Sequence, residues 1–374
     1  MRFGLGWRAE LGAGILAHLD RIEVLEVLAE ELFDADRGQR RALRFLGAQV
    51  PIVLHATSVG LASPERVDVR RLERVARVVE WLEPKLWSEH LAFVRSGDVE
   101  IGHLAAPPRN DATLAGLQRN VEEARRIVGS FPLLENVASL IDPPLSTYGE
   151  GEWLHAVLEA TGCDLLLDLH NLYANATNFG FDAGGVASSL PVERIGMIHL
   201  AGGRRIERDR VLDDHLHDVP DPVYELLSLV RAPYVVLERD GNYPAVEELV
   251  GQLERARLAA GALGRDGTNG TYGTNGTYRH PIRPIGPISP IGPITATAFL
   301  ANLYTDPAAR ARFLAAPYDE ALRHSLTHDE ATSLTHLNPD DLALAARSFA
   351  KKRQAKARCR ESASRSPSPA AVRE

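Results

Sequence analysis

Short runs of Val, Ile and Leu recur along the first 262 residues, separated by longer segments whose apolar residues return every three or four positions. Runs apolar on both faces suit strands of a buried parallel sheet, and the segments between them suit amphipathic helices packed on that sheet. Eight such runs are found, at 3–7, 22–27, 51–56, 85–91, 132–136, 164–170, 195–200 and 234–240. Helices are expected at 10–19, 36–48, 68–83, 111–129, 151–161, 219–231 and 244–262, with a short one near 183–190. Eight strands in this length predict an α/β fold closed into a (β/α)8 TIM barrel over residues 1–263. An open, doubly wound sheet gives a similar alternation. The Gly-x-Gly-x-x-Gly phosphate fingerprint is absent after the first runs, however, which favours the barrel.

After Gly264 the pattern stops. Thr-Asn-Gly-Thr-Tyr repeats near 268–278, and a Pro-Ile series fills 281–294, so residues 264–295 are expected to be an interdomain linker. Helical periodicity returns over 296–350, with Phe299, Leu300, Leu303, Tyr304, Phe313, Leu342 and Phe349 among its apolar positions. Helix starts are predicted at Thr305-Asp306-Pro307, Thr327-His328-Asp329-Glu330 and Asn338-Pro339-Asp340. This predicts a small all-α module, suited to gripping a peptide or a partner, followed by a basic disordered tail at 351–374.

Composition narrows the class. The chain has 374 residues, of which 45% are hydrophobic and 25% charged, with only two cysteines, so fibrous, disordered and disulfide-framed proteins are excluded. The net charge is −8, but residues 351–374 hold eight Lys/Arg against two Glu, which leaves the body at −14. An acidic body argues against a nucleic-acid partner. No apolar run approaches the length of a membrane span, and the N-terminus lacks a signal-peptide core. A cytoplasmic protein is expected, with Cys163 and Cys359 as reduced thiols.

The informative feature is where His, Asp and Glu fall. His55, His90, Glu135, Asp168, His199 and Glu238 end six successive runs, and Asp213 and His215 lie in the loop after the seventh. In a barrel the carboxyl ends of the strands converge on one face, so all eight would share one pocket. Imidazoles and carboxylates crowded together repel and are costly to desolvate unless cations join them. Nitrogen and oxygen donors without thiolate suit Fe, Mn or Zn, and eight ligands exceed what one ion needs, so at least two metals are expected, with Glu135 able to bridge. Taken singly, each residue has a plainer reading. A strand-end histidine is commonly a hydrogen-bonded core residue, Asp168 could cap a helix, and Asp213 with His215 could be ordinary loop polarity. Their coincidence carries the inference. Asp168 and His170, like Asp213 and His215, would share a face wherever the backbone is extended. Glu89, on the opposite face of its strand from His90, is expected to be structural.

These residues sit in a recognisable series: His55-Ala-Thr-Ser-Val-Gly-Leu, Ser88-Glu-His90-Leu-Ala, Leu133-Leu-Glu135-Asn136, Leu165-Leu-Leu-Asp168-Leu-His170-Asn171, Ile198-His199-Leu-Ala-Gly, Asp213-Asp-His215 and Leu237-Glu238. In order and spacing the series resembles the multinuclear non-haem iron-dependent oxidases of ribosomal peptide natural product biosynthesis, over residues 1 to about 262. The resemblance implies a TIM barrel holding two or three iron ions of mixed Fe(II)/Fe(III) state, using O2 to modify a ribosomal precursor peptide, usually at cysteine. It implies His55, His90, Glu135, Asp168, His199, Asp213, His215 and Glu238 as iron ligands, with Glu135 as bridge. His170, Asn171, Asn136 and Asp240 would support them from behind. Many members carry Asn where His170 stands. Members often use a separate partner protein to present the peptide, a role the 296–350 module is expected to fill here. Two rival readings use the same residues: a divalent-metal-dependent hydrolase or isomerase on a TIM barrel, and a non-catalytic peptide-binding scaffold.

Overall fold

The structure, a computed structural model, describes residues 1–261 and 296–365. The expected linker at 264–295 lies outside the described residues. The described residues form twelve strands, in chain order β1 (Arg2–Gly6), β2 (Val24–Leu28), β3 (Ile52–His55), β4 (Trp87–His90), β5 (Phe93–Ser96), β6 (Val99–Ala105), β7 (Leu133–Glu135), β8 (Leu165–Asp168), β9 (Ile195–Leu200), β10 (Arg204–Arg205), β11 (Val211–Leu212) and β12 (Tyr234–Leu237). The helices are α1 (Gly12–Ala17), α2 (Ala29–Leu32), α3 (Arg37–Gly47), α4 (Val69–Leu82), α5 (Asp111–Val128), α6 (Glu150–Thr161), α7 (Leu169–Phe179), α8 (Ala183–Ser189), α9 (Asp221–Leu227) and α10 (Val246–Gly261). Beyond the linker come α11 (Ala296–Thr305), α12 (Pro307–Ala315), α13 (Pro317–Arg323), α14 (His328–Leu334) and α15 (Pro339–Arg365).

Eight strands close a parallel barrel in the order β1-β12-β9-β8-β7-β4-β3-β2. Each coincides with one of the eight apolar runs. Strand side chains alternate between faces, and here one face meets the barrel axis and the other the helices. Val24, Val53, Leu133, Leu166, Met197 and Val236 form a separate buried cluster that fills the axis. Their sequence neighbours Leu25, Leu54, Leu134, Leu167, Ile198 and Leu237 belong to the core shared with the surrounding helices. Two residues beyond each axial plug, on the same face, stand Glu26, His55, Glu135, Asp168, His199 and Glu238. An apolar floor therefore lies directly beneath a polar layer.

Local sequence accounts for the helix ends. α3 starts with a reciprocal cap, Asp36 Oδ1 accepting from Gln39 N (2.8 Å) and Gln39 Oε1 accepting from Asp36 N (2.9 Å). All three helix starts expected in the C-terminal region are found, α12 capped by Asp306, α14 by a Thr327–Glu330 box, and α15 opening at Pro339. Two features depart from expectation. The run at 164–170 ends as strand at Asp168, whose carboxylate caps α7, so His170 sits in a helical turn rather than on an extended backbone. α15 also continues to Arg365, so 351–365 is helix where a disordered tail was expected. The Ala-, Lys- and Arg-rich sequence there has high helix propensity and extends a helix already anchored by packing. Residues 366–374 lie outside the described residues. No helix among the described residues is long and apolar enough to cross a membrane.

The C-terminal helices are joined to the barrel by a common core. Phe93, Ile101 and Ala105 of the β5–β6 hairpin pack with Leu140, Ile141, Phe299, Leu300, Leu303, Phe313 and Leu342. Phe299 is 1% exposed and meets Phe313 edge-on, with ring centroids 5.7 Å apart. Phe299→Ala is expected to destabilise this region by about 3–5 kcal/mol, measured by denaturant unfolding. A loss below about 1 kcal/mol would contradict a shared core.

Candidate metal centre

The barrel's register brings the polar layer together. His90 and Glu135 are direct partners across β4 and β7, and Asp168 and His199 across β8 and β9. Adjacent strands lie about 4.8 Å apart, so inward side chains at paired positions meet. Three groups of ligand atoms result, each within 4.8 Å: His55 with His90 and Glu135; Glu135 with Asp168, His199 and Glu238; and His215 with Glu238 and Asp240. Glu135 belongs to the first and second groups and Glu238 to the second and third.

Each carboxylate of the pair is split between neighbours. Glu135 Oε2 lies 3.4 Å from His55 Nε2 and 3.1 Å from His90 Nε2, while its Oε1 lies 3.2 Å from His199 Nδ1. Glu238 Oε2 lies 3.3 Å from His199 Nδ1 and 3.0 Å from His215 Nδ1, and its Oε1 accepts from Arg8 at 3.1 Å. The imidazoles are oriented from behind, as metal-binding histidines commonly are. His55 Nδ1 meets Ser88 Oγ at 2.8 Å and His199 Nε2 meets Glu26 Oε2 at 2.7 Å, which turns the opposite ring nitrogen toward the cluster. Glu89 is buried on the other face, accepting from Val59 N (3.0 Å) and His90 N (2.9 Å).

Burial opposes charge at His90, His199, His215, Glu135 and Glu238, yet their neighbours favour it. At His90 it is outweighed by Glu135 and Glu89, which push the imidazolium up to about 9. Against the same burial, Glu26 and Glu135 hold His199 well above the ordinary imidazole value, and Asp213 and Glu238 do so for His215. Histidines in turn hold Glu135 below the usual carboxylate range and Glu238 well below it, again against burial. Burial drives the Asp168 carboxyl the other way, up to about 7. Glu135 Oε2 and Asp168 Oδ2 are buried without a hydrogen bond. Buried acceptors of this kind are rare unless something else engages them. Orphaned oxygens among imidazoles, with no thiolate, fit an iron, manganese or zinc ion.

The eight residues expected as ligands all reach this region. Seven fall within the three groups. Asp213 stands beside them, its Oδ1 2.9 Å from His215 Nε2 and 2.7 Å from His170 Nδ1. His215 itself adopts a left-handed backbone (φ 54°), a strained conformation that concentrates at functional sites. His170 thus orients Asp213 from the first turn of α7. Gly203 makes room for it, since a Cβ there would lie 2.6 Å from His170 Cε1. Asn136 brackets the Asp168 backbone with two bonds of 2.9 Å, and Asn171 donates its own N–H to Asp168 Oδ1 at 2.7 Å. Asp240, expected as support, lies close enough to His215 and Glu238 to be a ligand itself. Sequence reading missed Glu26 and Arg8. Glu26 interrupts the apolar run Val24-Leu25-Glu26-Val27, a signal overlooked because it lies within a strand. Arg8 follows β1 and is buried against Glu238 and Asp240.

Residues 2–260 match the model of the family described as RiPP precursor modification enzyme MbnB/TglH/ChrH. The chain belongs to this family. Among its relatives, a UPF0276 protein of Streptomyces avermitilis is 37% identical over 266 residues, covering 68% of this chain and 54% of the relative. This chain therefore spans about half the length of that protein. A UPF0276 protein of Paraburkholderia phytofirmans is 32% identical, covering 68% of this chain and 85% of its own, and one of Rhizorhabdus wittichii is 31% identical, covering 64% and 87%. Among solved structures, a xylose isomerase-like TIM barrel/4-hydroxyphenylpyruvate dioxygenase fusion protein aligns with a TM-score of 0.50 at 12% identity, over 70% of this chain and 43% of that one, a likeness of fold alone. The family match ends before α11.

Two outcomes test the centre. Glu26→Gln is expected to weaken metal binding about 10–100-fold by freeing the His199 ring, measured by competition with a chelator, and unchanged affinity would remove Glu26 from the account. Ligation needs neutral imidazole, whereas His90 is pushed up to about 9 and His199 and His215 are shifted in the same direction by their carboxylate neighbours. Ferrous ion added anaerobically to metal-free protein near pH 7 should therefore release about one proton or more per ion, with affinity rising as pH is raised. Binding without proton release would contradict these imidazoles as ligands.

Proposed function

We propose that the protein is a multinuclear non-haem iron-dependent oxidase that uses O2 to modify a ribosomally made precursor peptide, at cysteine. The observation that supports this most is the chain of three ligand groups linked by Glu135 and Glu238, in a protein whose first 260 residues belong to a family of RiPP precursor modification enzymes. His55, His90 and Glu135 would hold one iron. Asp168, His199 and Glu238 would hold a second with Glu135, and His215 with Glu238 and Asp213 or Asp240 a third. Bound iron supplies one-electron chemistry with O2 and an affinity for a substrate thiolate.

The chain's own residues do the rest. Ser88 and Glu26 fix which ring nitrogen of His55 and His199 faces the cluster. Arg8 donates to Glu238 Oε1 and so aims that carboxylate, while His215 and His199 hold it ionised. The apolar plugs from Val24 to Val236 exclude water from below, so the carboxylates are reached from the open side alone. Above them lies a cavity of about 610 Å³ lined by His55, His90, Asp213, His215 and Glu238. A peptide side chain entering it meets the ligand groups directly. No side chain is required as a nucleophile.

Co-expression with a short cysteine-containing precursor encoded beside the gene, followed by mass spectrometry, tests the proposal. The expected result is a peptide mass change that requires O2 and iron and is lost in Glu135→Ala. Full turnover without oxygen, with zinc or manganese in place of iron, would instead establish a hydrolase or isomerase.

A further inference from the structure

The barrel does not enclose the cavity by itself. α11 and α15, which lie beyond the family-matched residues, bring Tyr304, Ala345, Ser348, Phe349 and Lys352 to its wall. α15 is held there at several points. Phe349 packs on Tyr304 and His103, with ring centroids 5.0 and 6.4 Å away. Asp341 pairs with Arg208 at 2.9 Å and Arg210 at 3.1 Å, residues that precede β11. Arg353 donates to Ile101 O at 3.1 Å as the helix crosses β6 at Gly102. Gly102 has φ 80°, and a Cβ there would lie 2.3 Å from Arg353 Cγ, so strand and helix fit only with glycine at the crossing.

Lys352 stands apart from the other cations of this cavity. Arg8 is bound to Glu238 and Asp240, and Arg71 to Glu100 and to the Ser58 carbonyl. Lys352 Nζ hydrogen-bonds His103 Nε2, and among the described residues it forms no ion pair. Burial pulls its ammonium below the ordinary lysine value, against the more distant Asp213, Asp214 and Asp240. A cation kept in a partly desolvated wall is unfavourable unless an anion meets it there.

We propose that Lys352 is the anion-binding point of the substrate cavity, pairing with a carboxylate of the peptide beside the residue presented to the cluster. This rests on the peptide-oxidase reading above. The C-terminal helices are then a wall of the active site, and Lys352 is a positioning residue that selects acidic substrates. The carboxylate has two sources, an Asp or Glu side chain or the peptide's own C-terminus.

Three short cysteine peptides separate the possibilities with the iron-loaded, full-length protein under anaerobic conditions. One carries Asp next to Cys and an amidated C-terminus, one carries Asn and a free C-terminus, and one carries Asn and an amidated C-terminus. Binding measured by calorimetry is expected to favour at least one charged peptide over the neutral one about tenfold. Which charged peptide gains identifies the source. The preference is expected to vanish in Lys352→Met and to survive in Lys352→Arg, with iron content unchanged in both. Equal binding of charged and neutral peptides, no binding of any of them, or a preference that persists in Lys352→Met would overturn the proposal. So would loss of iron in Lys352→Met without loss of preference, because the ammonium would then serve to balance the nearby aspartates. Oxygen uptake recorded once air is admitted to the same wild-type sample separates the two readings. Uptake without charge preference removes the anion point alone, and charge preference without uptake removes the oxidase reading alone.

Discussion

Carboxylates and imidazoles at the mouth of the barrel are nearly stripped of water, and that constraint governs the rest of the structure. Asp168 and His199 are 0% exposed and Glu135 1%. Anionic groups at such depth are tolerated only when positive charge lies among them. Protonated imidazoles and Arg8 provide some of it, at the expense of histidines held far from their ordinary titration and an aspartic acid driven toward neutrality. Cations placed between Glu135, Glu238 and their neighbours remove the conflict and engage the oxygens that no hydrogen bond reaches.

The strand alternation is what makes this arrangement possible. An axial plug in one layer and a ligand in the next, on the same face two residues on, give a dry floor under a polar ring. The pairing of His90 with Glu135 and of Asp168 with His199 follows from strand order and register together. Buried, hydrogen-bonded partners beneath and beside the ring, such as Ser88, Glu26 and Asn136, convert that proximity into defined orientation.

Much of this was legible in the chain. The eight barrel strands are apolar runs of the expected length, and a His, Asp or Glu at the end of six of them is visible without coordinates. What escaped notice depended on tertiary context. Glu26 lies inside a strand rather than at its end, and its role appears only once β9 places His199 opposite. Asp168 suits both a strand end and a helix cap in sequence, and only the fold shows that α7 starts there and carries His170 in its first turn. The segment 93–105 carries no strong alternation, so the β5–β6 hairpin went unseen, and with it the platform on which α11 and α15 dock. The composition break after Gly264 pointed to a separate module, whereas Phe93 and Ile101 share one core with Phe299 and Phe313. Shared packing of that kind leaves no periodic trace in either segment.

Anomalous diffraction at the iron absorption edge, on crystals grown anaerobically from iron-loaded protein, tests the central claim most directly. The account predicts strong peaks within bonding distance of the His55, His90 and Glu135 side chains and of Asp168, His199 and Glu238, joined through Glu135. Saturating iron with no peak inside the barrel mouth, or with peaks confined to the outer surface, would contradict it.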